Sequence, residues 1–184
     1  MKTLFLQLKS DESLMQCYQR GDSSAFEVLY RRHKGPLFNY LYNSCQNQAL
    51  VEDLAHDVWL SIIRRIEIYQ PNAAFRTYLY RIAWHKLVDH WRKNTNENGG
   101  SEFDEEIHSE RDVQSQSHES SLRVDEILSA IHRLPIEQRT AFLLKEEGFS
   151  QQEIAEITET KPETVKSRLR YAQKTLRRFM EVMA

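Results

Sequence analysis

With 184 residues the chain is too long for one minimal domain and about the size of two small ones. Hydrophobic residues are 40% and charged residues 28%, enough to bury a core and against wholesale disorder, while five glycines and four prolines favour long helices over a loop-rich sandwich. The net charge of −2 hides a partition: residues 1–93 carry 13 bases against 9 acids, residues 94–126 carry 2 against 10, and residues 127–184 carry 10 against 8.

Two mildly basic blocks joined by an acidic strap hint at nucleic-acid contact on both sides. No apolar run reaches the roughly 18–20 residues that span a bilayer. The stretch Met1–Gln7 is too short for a signal peptide. Cys17 and Cys45 form neither a C-x-x-C pair nor a zinc spacing. The expectation is therefore a cytoplasmic protein without membrane insertion, metal or cofactor.

In chain order, Asp11 to Arg20 reads as a short helix closed by Gly21. Ser23 or Ser24 can cap a second, which Gly35-Pro36 should end or kink. A third runs from Pro36 to about Cys45, with Leu37, Tyr40 and Leu41 at helical spacing. Ala49 to about Glu67 makes a fourth, with Leu54, Val58, Ile62 and Ile66 near one face. Gln70-Pro71-Asn72 breaks the chain, and Phe75 to Lys93 makes a long fifth helix.

Residues 94–118 hold few large apolar side chains, and six acids fall between Glu102 and Asp112. Such a segment cannot offset its own ordering entropy and is expected to be a flexible acidic linker. The second block, residues 119–184, opens with the apolar stripe Leu122, Ile127, Leu128 and Ile131. A helix from Pro135 to Glu147 stops at Gly148, and Ser150-Gln151-Gln152-Glu153 is a capping box for the next. The last helix runs from about Pro162 to about Val182. The fold class is thus all-α: two small helical domains and a linker.

A short capped helix, a turn of about four residues and a long helix is the helix-turn-helix pattern. On its second helix Val165, Leu169, Ala172, Leu176 and Phe179 form a narrow apolar stripe. Lys166, Ser167, Arg170, Tyr171, Lys174, Arg177 and Arg178 lie roughly opposite, and Lys161 to Met180 holds seven bases against one acid, Glu163. Such a helix suits the major groove, its N-terminal residues reaching base edges while the cations neutralise phosphates. The turn, Thr158-Glu159-Thr160-Lys161, lacks the glycine that a left-handed position favours.

The fifth helix interleaves Tyr78, Tyr80, Trp84 and Trp91 with Arg76, Arg81, Lys86, Arg92 and Lys93. Phe75, Leu79, Ile82, Ala83 and Leu87 cover one side; Tyr78, Arg81, His85 and Arg92 fall on the other. Exposed rings among cations suit unpaired nucleic acid, since rings stack on bases and cations hold the backbone. The preceding loop, Tyr69 to Ala74 with Asn72, could pocket a displaced base. On the fourth helix Glu52, Asp53 and Asp57 either complement the helix dipole or form a docking surface, with Trp59 nearby, for a basic partner helix.

Five kinds of segment, in order, resemble the extracytoplasmic-function (ECF) sigma factors of the bacterial sigma-70 family. They are Gly21-Asp22-Ser23-Ser24-Ala25-Phe26 with Leu29-Tyr30, Glu52 through Leu60, Phe75 through Ala83, Leu134-Pro135, and Glu153-Ile154-Ala155-Glu156-Ile157 followed by Thr164 through Leu169. The resemblance implies a non-enzymatic subunit that binds core RNA polymerase and directs it to promoters. It implies that residues 1–93 are domain two, with Asp53, His56, Asp57 and Trp59 on the polymerase-docking surface. Tyr69, Asn72, Arg76, Tyr78, Arg81, Trp84, His85 and Arg92 would then open and read the −10 element as single strand. Residues 119–184 would be domain four, reading the −35 duplex with Lys161, Glu163, Thr164, Lys166, Ser167, Arg170, Tyr171 and Lys174. Such proteins are often held by an anti-sigma factor, so one belongs among the expected partners. His56 stands where glutamine is common in the family, and Glu159 where glycine is common.

Two other readings compete. His33, His56-Asp57 and Asp89 follow the ligand order of all-helical metal phosphohydrolases. A two-component regulator shares a helix-turn-helix like Ile154 to Leu169, but requires an α/β receiver of which residues 1–93 show no strand pattern.

Overall fold

The computed structural model describes residues 2–97 and 120–183. The predicted linker falls almost entirely outside them, and its residues 94–97 continue a helix. The described elements are α1 (Lys2–Gln7), α2 (Asp11–Gln19), α3 (Ser23–Cys45), α4 (Gln48–Arg64), a 3-10 turn (Ile66–Ile68), α5 (Phe75–Glu97), α6 (Ser120–His132), α7 (Ile136–Glu146), α8 (Gln151–Ile157) and α9 (Pro162–Met183). None of the described residues is in a strand. No helix among them is long and apolar enough to cross a membrane.

The largest departure from the sequence reading is α3, one continuous helix through Gly35 and Pro36 where an end or a kink, and a separate helix from Pro36, were expected. Proline inside a helix removes a hydrogen bond and crowds the preceding turn, at a cost of roughly 3 kcal/mol. The buried side chains Val28, Leu29, His33, Leu37, Tyr40 and Leu41 continue across the site, so packing on one face outweighs the local penalty. Gly35 and Pro36 themselves face solvent. The cap of α3 is Asp22, whose carboxylate accepts from the Ser24 amide, rather than either serine.

In the first block α3, α4 and α5 pack together over α2, with Leu14, Leu29, Val58, Ile62, Phe75, Leu79 and Leu87 in the core. The apolar side predicted for α5 is the buried one: Phe75, Leu79, Ile82, Ala83 and Leu87 are all buried.

The N-terminus of α5 has no local cap, since Ala73 and Ala74 precede it. Glu12 of α2 supplies one from a distance, its carboxylate accepting from the Phe75 amide at 2.9 Å. That bond foremost lowers the Glu12 pKa. The cap therefore contributes its stability above the ordinary glutamate range and loses it as the pH falls through the lowered value.

In the second block α7, α8 and α9 enclose Leu144, Phe149, Ile154, Ile157, Val165 and Leu169. The capping box is formed: the Ser150 hydroxyl accepts from the Glu153 amide, and the Glu153 carboxylate accepts from the Ser150 amide at 2.8 Å. Gly148, at φ 88, ends α7 in the left-handed region and turns the chain so that Phe149 can be buried. The two blocks touch: α5 packs on α8, and α3 on α6 and α7.

Candidate nucleic-acid interface

On α9 the polar and apolar sides separate as the spacing requires. Val165, Leu169 and Ala172 are buried against α7 and α8, while Lys161, Glu163, Lys166, Arg170, Tyr171 and Lys174 face solvent. Thr164 and Ser167 are half-buried, and the Ser167 hydroxyl donates back to the Glu163 carbonyl at 3.1 Å. The Arg170 guanidinium lies over the Tyr171 ring, 5.1 Å from its centroid. Apart from Thr164 and Ser167, the set presents exposed side chains that can meet a groove.

The turn before α9 holds Glu159 at φ 50, a left-handed conformation that costs a side-chain-bearing residue on the order of 1 kcal/mol. Its carboxylate accepts from Arg81 at 2.7 Å and lies 3.1 Å from His85 Nε2, both on α5. The bond from Arg81 foremost lowers the Glu159 pKa.

The set on and before α5 divides. Arg81, His85 and Arg92 are exposed, and Asn72 lies exposed on the loop. Tyr78 and Trp84 are half-buried, the Trp84 ring standing 4.9 Å from His85. Tyr69 is buried, its ring 5.5 Å from Tyr78, and burial pushes its hydroxyl up to about 12. Tyr69 is thus a wall of the loop rather than an open stacking surface. The reason lies in Gln19 of α2, whose side-chain amide donates to the carbonyls of Ile66 and Glu67 at 3.0 and 3.1 Å and pins the turn before the loop. Nothing in the local sequence signals that bond.

Arg76 is also committed. It donates to the backbone carbonyl of Glu147, reaches that residue's carboxylate at 3.3 Å, and lies 4.2 Å over the Phe149 ring. Tyr80 completes the contact, its hydroxyl donating to Glu147 at 3.0 Å and its ring standing 4.8 Å from Phe149. Glu147 and Phe149 were absent from the expected site, because an acid at a helix end and an apolar ring carry no functional signature in sequence; Tyr80, counted among the rings of the aromatic and basic helix, is fully buried and so is no stacking surface.

On α4 Glu52, Asp53, His56 and Asp57 form one exposed acidic face, with Lys86 of α5 at 3.3 Å from Asp57. Trp59 is buried, edge-on to Tyr30 at 5.1 Å and to Phe26 at 5.8 Å. It supports that face from beneath and also lines a shallow cleft between α3 and α4 with Tyr30, Phe38 and His56.

His33 is a buried structural side chain, 2.7 Å from Asp11 and packed on Phe75. Asp11 also binds Arg32 at 2.6 Å. Burial would raise the Asp11 pKa, but the bonds from His33 and Arg32 lower it overall. Among the described residues no three His, Cys, Asp or Glu side chains gather around a point where an ion could sit.

Comparison with known proteins accords with this geometry. Residues 29–97 match the family model for Sigma-70 region 2, and residues 125–176 that for Sigma-70, region 4. The chain is 31% identical to the ECF RNA polymerase sigma-E factor of Haemophilus influenzae over 87% of its length and 89% of the relative's. It is 27% identical to the RNA polymerase sigma-H factor of Pseudomonas aeruginosa, covering 94% of this chain and 95% of that one. In fold it is similar to CnrH, solved in complex with the cytosolic domain of CnrY, with a TM-score of 0.74, 21% identity and coverage of 96% and 100%. It is also similar to the Bartonella quintana sigma factor RpoE, solved with the anti-sigma factor NepR, at a TM-score of 0.72, 21% identity and coverage of 85% and 97%.

The chain belongs to the ECF sigma factors of the sigma-70 family. It is a regulatory factor that directs RNA polymerase in transcription initiation.

Proposed function

We propose that the two blocks divide promoter recognition between them: residues 1–93 capture the −10 element as an opened strand, and residues 119–184 grip the −35 element as duplex. Residues 94–118 tether them. The observation that carries the reading is the two-sided character of α9, with Lys166, Arg170, Tyr171 and Lys174 facing solvent and Val165, Leu169 and Ala172 buried behind them. Lys161, Glu163, Thr164 and Ser167 at the start of the same helix read or flank the base edges.

On the first block Arg81, His85 and Arg92 hold the strand's backbone, Tyr78 and Trp84 offer ring edges, and Asn72 and Arg76 flank the loop above Tyr69. Asp53, His56 and Asp57 dock core polymerase, with Trp59 fixing their helix. This is a cytoplasmic, non-enzymatic subunit whose partners are core polymerase and promoter DNA. An anti-sigma factor is a further partner, a reading supported by the complex in which RpoE was solved with the anti-sigma factor NepR.

Transcription with purified core polymerase on a genomic fragment library tests the assignment. New start sites are expected only when the chain is added, each preceded by one motif at about −10 and a second near −35. Starts no different from those of core alone would contradict it.

A further inference from the structure

At the end of the 3-10 turn Ile68 stands 75% exposed, more than any other large apolar side chain among the described residues after Leu8. Its neighbours do not share that exposure: Ile66 is half-buried and Tyr69 is buried. Single exposed apolar residues are common on protein surfaces and by themselves mean little. Two further features set this one apart.

The first is rigidity. The Gln19 side-chain amide donates to the carbonyls of Ile66, Glu67 and Tyr69 at 3.0, 3.1 and 3.3 Å, on both sides of Ile68. The Ile68 amide itself donates to the Arg65 carbonyl at 3.2 Å. A β-branched side chain, stiff at χ1, is thus presented to solvent from a fixed backbone, and little freedom is left to lose when it inserts.

The second is position. Ile68 directly precedes Tyr69, whose ring packs on Tyr78 at 5.5 Å, and so stands at the entry to the loop assigned to the opened strand. Arg64 and Arg65 come just before it, both exposed, against one exposed acid, Glu67. Burial raises the Tyr78 pKa and the charge of Arg65 opposes that rise, which sets this guanidinium near the ring. Proteins that part a base step insert an apolar tip between the bases while nearby cations hold the phosphates.

We propose that Ile68 is a melting wedge: it inserts at the junction beside the loop, where duplex gives way to the −10 strand, while Arg64 and Arg65 hold the flanking phosphates. Isoleucine carries no hydrogen-bonding group, so the wedge promotes opening without selecting a base. The proposal deepens the −10 reading of the loop and α5 and rests on it.

Holoenzymes are compared on two promoters of one sequence, one fully duplex and one already mismatched into a bubble at −10. Fluorescence of 2-aminopurine in the −10 element follows opening. Unstacking a step is the costly event, so Ile68→Ala is expected to slow opening of the duplex promoter about tenfold. Its affinities for the bubble promoter and for core polymerase should stay within about twofold of wild type, because neither requires a step to be parted. Ile68→Met, also apolar and able to insert, should keep most of the rate. Ile68 is exposed, so both variants should melt close to wild type. Opening at the wild-type rate by Ile68→Ala, or equal losses on duplex and bubble, would overturn the wedge. A loss of core affinity would overturn it too, making Ile68 a protein contact. Arg81→Ala/His85→Ala isolates the underlying reading: it should weaken binding to the bubble promoter, where no melting is needed. Undiminished binding there would remove the strand-holding role of α5, while the duplex-to-bubble contrast of Ile68→Ala alone decides the wedge.

Discussion

Replacing Arg170 and Lys174 by alanine is expected to weaken holoenzyme binding to a −35 duplex by on the order of a hundredfold at low salt. Both side chains are exposed on α9, so neither supports the fold. Charge-assisted bonds to phosphate contribute roughly 1.5–3 kcal/mol each, and two of them account for the loss. Each phosphate neutralised also releases condensed counterions, giving a slope of about −0.9 in log K against log salt. The double variant should therefore flatten the salt dependence by about 1.8, across all promoter sequences alike. Binding measured on one duplex over a series of salt concentrations checks both numbers. An unchanged slope would mean that the cationic side of α9 does not lie against DNA.

Reversing two charges on α4 should have a comparable effect on a different partner. Asp53 and Asp57 stand one turn apart on an exposed face, and only Asp57 has an ion-pair partner, Lys86 at 3.3 Å. Exposed pairs of that kind contribute little to folding, so Asp53→Arg/Asp57→Arg should melt close to wild type. Against a basic partner surface, like charges cost several kcal/mol. Affinity for core polymerase should drop at least a hundredfold, taking transcription with it, while the helical content by circular dichroism stays unchanged. Undiminished holoenzyme assembly would place the polymerase contact elsewhere on the molecule.

Features written in short-range patterns were legible before any coordinates. The apolar side of α5, the capping box at Ser150 and the stripe Val165, Leu169 and Ala172 depend on residues three or four apart, and each is found as read. Three kinds of feature were not legible. Pro36 signals a break that the buried face of α3 overrides, because burial is a property of the assembled core. The Glu12 cap on α5 joins residues 63 apart, and Gln19 holds the turn before Tyr69 across a similar interval. The degree of exposure is the third. Trp59 and Tyr69 are as aromatic as any stacking residue, yet α2 and α3 cover them. The same limit hid the contact between blocks, since Glu147 reads as an ordinary surface acid, and Glu159 only as a departure from the glycine its turn favours, until their partners on α5 are in place.

A photoreactive amino acid placed at Tyr171 or at His85 measures the division of labour most directly. Each variant is assembled into holoenzyme on a promoter whose two strands are separately labelled. The account predicts that position 171 links to upstream duplex whether or not the promoter is open, and that position 85 links to one strand near −10 only once melting has occurred. Links from position 85 to closed duplex, or from position 171 to an opened strand, would contradict it.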